Sequence, residues 1–173
     1  MTRALGLARG TVRLVQHHAY WHREFVHEKR RLIKQLGSLA LGIEHVGSTA
    51  IPGLIAKPIL DIALGVRKVR AIAGLEQRLR TIGYVRRRKG RDNDTLFVKG
   101  PETNRTVYLH IVRYRGVLWK QYVSFRDWMR SHPNDVRRYQ QIKLELYRRF
   151  STDRNRYTSA KSRYINTILQ KGT

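Results

Sequence analysis

Apolar residues recur at three- and four-residue intervals between His17 and Leu36, where Trp21, Phe25, Leu32, Ile33 and Leu36 mark one face of a helix that Gly37 ends. The period then drops to two. Leu41 to Val46 alternates as a strand, Gly47 to Pro58 is a loop with two prolines, and Ile59 to Leu64 is a second, almost wholly apolar strand. Val69, Ile72, Leu75, Leu79 and Ile82 restore the helical period up to Gly83. Strands follow at Tyr84–Arg87, Thr95–Lys99 and Thr106–Val112, separated by turn-prone stretches at Gly90–Asp94 and Gly100–Asn104. Helices are predicted at Val117–Ser131, at Asn134–Phe150 behind Pro133, and at Arg156–Gln170. Ahead of the first helix, Val12 to Val15 reads as a short strand. This order predicts an α/β (α+β) fold, a small mixed sheet flanked by helices with a helical tail. No repeat or linker divides it, so residues 1–173 are expected to form one domain with its core at about 12–170 and a flexible stretch at 1–11.

Composition narrows the chemistry. There is no cysteine, which excludes disulfides, thiolate catalysis and thiolate metal sites and points to a reducing, cytoplasmic setting. No apolar run reaches the length of a membrane span. Arg3, Arg9 and Arg13 precede the first acidic residue, Glu24, in the manner of an organelle transit peptide, the competing expectation. Lysine and arginine total 36 against 12 acidic residues, a net charge of +24, and 26 of the bases are arginine, whose planar fork matches phosphate. Cationic ligands are disfavoured. RNA, DNA, nucleotides and other phosphorylated molecules, and acidic lipid heads, are the expected partners, and the densest run, with Arg86, Arg87, Arg88, Lys89 and Arg91, is the expected polyanion contact.

Acidic residues are so scarce that their positions carry weight. Between Glu28 and Glu76 only Glu44 and Asp61 occur, one on each strand framing the Gly47–Pro58 loop. Asp61 stands among apolar neighbours, where an ionised carboxylate needs a cation, a metal or several donors, or else staples the loop. In the loop, Gly47 leaves amides approachable, Ser48 and Thr49 offer hydroxyls and Lys57 a positive charge, a set able to hold phosphate. Its glycine spacing is not that of a Walker loop. On the strand at Thr106–Val112, alternation places Tyr108, His110 and Val112 on one side, so His110 can share a cleft with Asp61. Arg126 and Arg130 lie four apart on a helix and could clamp a phosphate, or else pair with Asp127. Lys143 and Lys161 either line the same groove or decorate its outside.

The run from Glu44 through Gly47-Ser48-Thr49 and Lys57-Pro58 to Asp61-Ile62 closely resembles the signature of the GrpB family. Tyr108–Ile111, Ser124–Arg130, Tyr139–Lys143 and Tyr157–Lys161 resemble its later blocks, in order. The resemblance implies a nucleotidyltransferase-like fold of the polymerase-beta superfamily, with a Gly-Ser turn beside strand carboxylates that hold divalent metal, and some members fused to dephospho-coenzyme A kinase. Gly47 and Ser48 match the turn, and Asp61 matches the first acid of an Asp-x-Asp pair. Ala63 stands at the second acid, and His110 is the nearest counterpart of the third. Two expectations follow. In one, Asp61 and His110 are catalytic and hold Mg or Mn while Gly47, Ser48, Thr49, Lys57, Arg126 and Arg130 bind a nucleoside triphosphate for nucleotidyl or phosphoryl transfer. In the other, the protein is a basic adaptor that binds RNA or nucleotides without turnover.

Overall fold

The computed structural model describes residues 5–69, 73–87 and 95–171. Helix α1 (Tyr20–Leu36) leads into β1 (Gly42–Val46), a short 3₁₀ turn at Ser48–Ala50 and β2 (Leu60–Val66). Helix α2 (Ala73–Thr81) and strands β3 (Tyr84–Arg86), β4 (Thr95–Lys99) and β5 (Val107–Arg113) follow, then α3 (Val117–Ser131), α4 (Pro133–Phe150), α5 (Arg154–Ala160) and α6 (Ser162–Lys171). The five strands form one mixed sheet in the order β1-β2-β5-β4-β3. Only the β2–β5 pair is parallel.

Register sorts the side chains onto two faces, because cross-strand partners and residues two apart point the same way. One face carries Ile43, Ile62, Leu64, Leu109, Ile111 and Phe97 in a continuous core under Trp21, Phe25, Leu32 and Leu36 of α1 and Leu75 and Leu79 of α2. Its polar element is Glu28 of α1, which accepts from Lys99 Nζ at 2.7 and 2.8 Å and from the Tyr84 hydroxyl at 2.9 Å. The other face is divided. Toward the start of β1, Gly42 and Gly65 are bare so that Trp119 and Tyr114 can lie on the sheet; a β-carbon at either glycine would sit 2.7 Å from one of those rings. Toward the opposite end the same face presents Asp61, Tyr108 and His110, and α3 to α6 fold past it. A second apolar cluster, with Ile51, Leu54, Phe125, Met129, Tyr139 and Ile168, fastens those helices to the Gly47–Pro58 loop.

Of the helix expected at Val69–Ile82, Ala73–Thr81 is helical and residues 70–72, Ile72 among them, lie outside the described residues. The other elements match the sequence expectations closely, with three differences. The tail expected as one helix breaks at Lys161, with Asp153 capping α5 by accepting from the Arg156 amide at 3.0 Å. Val12–Val15 forms no strand; Val15 makes an isolated bridge to Ala56. Residues 5–11, expected to be flexible, are tied down: Leu7 pairs with Arg105, the Gly6 amide donates to the Pro58 carbonyl at 2.7 Å, and Arg9 meets Glu102. Among the described residues no helix is long and apolar enough to cross a membrane.

Candidate functional site

A cleft of about 880 Å³ lies between the Asp61 end of the sheet, the Gly47–Ala50 turn, α3 and the α5–α6 segment. The turn and Asp61 are built against each other. Val46 and Asp61 are register partners, so the chain reverses beside the carboxylate, and Gly47 takes φ +67°, where a β-carbon would lie 2.7 Å from Asp61 Oδ2. Only glycine meets both demands. Ser48 stands beside buried Tyr139 of α4. Thr49 is committed to the fold, its hydroxyl 2.9 Å from Nε2 of buried His45, which stacks on Phe25 beneath the opposite face.

Asp61 is one-third exposed toward the cleft, and His110 of β5 meets it, Nε2 to Oδ1, at 3.3 Å. Tyr122 of α3 stands 3.2 Å from His110 Nδ1. With Nε2 protonated the imidazole donates to the carboxylate, and the tyrosine hydroxyl meets the other ring nitrogen. Burial pushes the Asp61 carboxyl up, but the hydrogen bond and charge of His110 and the charges of Lys57 and Lys161 outweigh it and hold the group below the usual carboxylate range.

Three lysines from three elements converge here. Lys57 comes from the loop, fully buried Lys143 from α4 with its ammonium donating to the Ile55 carbonyl, and Lys161 from the α5–α6 break. Burial drives both Lys57 and Lys143 well below the usual lysine range, the other cations of the group push the same way, and Asp61 opposes only in part. Lys57 and Lys161 approach the Tyr157 ring at 5.6 and 4.7 Å, and Lys143 approaches Tyr139 at 5.3 Å. The buried Tyr157 hydroxyl has no hydrogen-bond partner among the described residues. Arg154 extends the positive wall, stacked 5.2 Å over Tyr108 and donating to its hydroxyl, and Arg9 and Arg87 line the far rim. Asp61 and Asp153 are the only carboxylates among the described lining residues.

The structure therefore brings Asp61, His110, Gly47, Ser48, Thr49 and Lys57 together, with Lys143 and Lys161 inside the groove. Arg126 and Arg130 do not reach it. Arg126 is buried and spent on Glu44 at 2.6 Å, the His45 carbonyl at 3.0 Å and Asp127 at 2.8 Å, and Arg130 donates to the Ala50 carbonyl at 2.9 Å. They brace the turn from behind instead of forming a phosphate clamp. The basic hairpin is divided: Arg86 pairs with Glu76 at 3.4 Å, Arg87 faces the cleft, and Arg88, Lys89 and Arg91 lie outside the described residues. Tyr122, Tyr157 and Arg154 were not anticipated. One signal in the chain would have found the lysine pockets: Tyr139–Lys143 and Tyr157–Lys161 share a Tyr-x-x-x-Lys spacing, which puts ring and ammonium on one helical face.

The donor set does not amount to a resident metal centre. Ala63, at the second carboxylate position, lies in register between Glu44 and His110, and Glu44 is taken by Arg126. Among the described residues no three His, Cys, Asp or Glu side chains come together. A Mg or Mn ion would find one protein carboxylate, Asp61, already facing lysines.

The sequence profile of the GrpB protein family matches residues 11–171. The glutamate-rich protein GrpB of Alkalihalophilus pseudofirmus is 33% identical, over 96% of this chain and 99% of its own. A UPF0157 protein of Pseudomonas aeruginosa is 40% identical over 86% of this chain and 62% of its own length. Among solved structures, the crystal structure of GrpB from Enterococcus faecalis superimposes with a TM-score of 0.83 at 26% identity, covering 92% of this chain and 96% of that one.

Proposed function

This chain belongs to the GrpB family, and from that premise we propose that its cleft binds a nucleotide or another molecule carrying a phosphate chain and transfers a nucleotidyl or phosphoryl group from it. The observation that carries this reading is the convergence of Lys57, Lys143 and Lys161 on a single aspartate inside a cleft. Burial, reinforced by repulsion from Lys161, holds Lys57 and Lys143 below the usual lysine range, and a polyphosphate relieves that repulsion. The Gly47 and Ser48 turn adds donors, and Arg154 adds a fork at the outer end.

Asp61 and His110 supply the polar pair beside this cradle. An acceptor hydroxyl entering between them loses its proton to the pair as its oxygen bonds to phosphorus; the bond to the leaving phosphate breaks, and the lysines receive the released charge. This step draws on no protein-bound magnesium or manganese, and a metal requirement would show that the ion arrives with the substrate's phosphates.

Thermal-shift titration with the four nucleoside triphosphates, dephospho-coenzyme A and inorganic triphosphate, each with and without magnesium or manganese, tests the reading. A ligand present at about 100 times its Kd stabilises the fold by about 2.7 kcal/mol. The expected result is such a shift with at least one phosphate-chain ligand, abolished in Lys57→Met with Lys161→Met. Asp61→Asn should retain the shift and lose turnover. Absence of any shift across the set would sink the proposal.

A further inference from the structure

We infer that the outer face of α1 is a second, separate docking surface, and that the partner it fits is the sugar–phosphate backbone of a nucleic acid. Arg23, Arg30 and Lys34, with His27 between them, are spaced 7, 4 and 3 or 4 apart, the spacing that puts them on one line of a helix. All four are exposed, and the line lies opposite the buried Trp21, Phe25, Leu32 and Leu36. It runs for about 16 Å at 1.5 Å per residue, long enough to meet several successive phosphates.

The distribution of charge, more than its total, carries the inference. Several exposed basic residues elsewhere face acids: Arg80 and Arg86 with Glu76, Arg149 with Glu145, Arg156 with Asp153 and Lys171 with Asp135. On α4, Arg137 and Arg148 form no ion pair among the described residues, but they are about three turns apart, with Gln141 and Leu144 between them on that line. On α1, Glu28 is drawn inside to Lys99, and Glu24 lies about 100° round from Arg23. Among the described residues Arg23, Arg30 and Lys34 form no ion pair. Arg30 and Lys34 are like charges at i and i+4, a pairing that costs helix stability and that a bound polyanion offsets. Because α1 covers the sheet face opposite Asp61, a backbone held there leaves the cleft open. Three unpaired cations on a straight edge read phosphate and no base, so binding is independent of sequence.

The test compares two neutralised proteins of equal charge, Arg23→Gln/Arg30→Gln/Lys34→Gln on α1 and Arg137→Gln/Arg138→Gln/Arg148→Gln on α4, with the native chain. Affinity for fluorescein-labelled duplex DNA and single-stranded RNA is measured by anisotropy across a salt series, with anionic phospholipid vesicles as a third probe. The α1 triple should reduce the slope of log K against log salt by about 2 to 3, and the α4 triple by less than about 1. The nucleotide thermal shift of the α1 triple should match native, which separates failure here from failure of the cleft reading. An unchanged slope in the α1 triple, an equal loss in the α4 triple, or α1-dependent binding to vesicles alone overturns the inference. Retained far-UV circular dichroism and melting temperature in both triples confirm that the comparison is between folded proteins.

Discussion

The two faces of the sheet solve opposite problems with the same strands. Beneath α1 and α2 every inward position but a few is apolar; Glu28 is partnered by Lys99 and Tyr84 and His45 Nε2 by Thr49, while Trp21 Nε1 and His45 Nδ1 are buried without a hydrogen-bond partner among the described residues. Beneath α3 to α6 the face is packed at one end and left charged at the other, with lysines outnumbering the carboxylate they surround. The contrast shows where the molecule tolerates electrostatic cost. The first face stabilises the fold, whereas the charged end of the second carries an electrostatic cost that the proposed ligand would offset.

The largest expected effect breaks the Glu28 network of the first face. Glu28→Ala leaves Lys99 and the Tyr84 hydroxyl buried without an acceptor and should cost about 3–5 kcal/mol in urea unfolding; Glu28→Gln, which keeps one acceptor oxygen, should cost less.

Acid tests the same face next. Burial holds His45 down to about 3, with Asp61 opposing and Arg130, His22 and Arg126 adding to the lowering. From the ordinary 6.5 down to about 3, the unfolded chain takes up a proton that the folded one refuses. Stability is therefore intact above that window and falls by on the order of 4 kcal/mol as pH drops through it. Asp61 is held low, so its contribution is present above the unfolded carboxylate range and goes as pH falls through the folded value. His45→Gln should flatten the decline between pH 6 and about 4 in denaturant titrations; an unaltered decline would remove His45 as its source.

On the other face, Arg126→Met strips Glu44, the His45 carbonyl and Asp127 of their shared donor and should cost about 2 kcal/mol. It should also weaken ligand binding, because the turn loses its brace. Gly65→Ala forces a β-carbon against Tyr114 and Trp119; about 1–2 kcal/mol is expected, read as a lowered melting temperature with an unchanged ligand shift. The smallest effect is that of Ser48→Ala, at most about 1 kcal/mol from the lost approach to Tyr139, accompanied by weaker phosphate binding in calorimetry.

Local periodicity alone determined most elements: Thr95–Lys99 and Val117–Ser131 agree at both ends, because a strand or helix with one buried face writes its period into the chain. The scarcity of acids likewise singled out Asp61, and strand alternation put His110 on its side. What the sequence did not determine was which cations meet that aspartate. Lys57, Lys143 and Lys161 are 86 and 18 residues apart in order, and only the parallel β2–β5 pairing with the folded-back tail makes them neighbours. Arg126 teaches the reverse lesson. Its spacing to Arg130 suits a phosphate clamp, but whether a charge faces a ligand or a neighbouring strand depends on which surface its helix packs against. Long-range burial decides that, and burial is a property of the assembled fold.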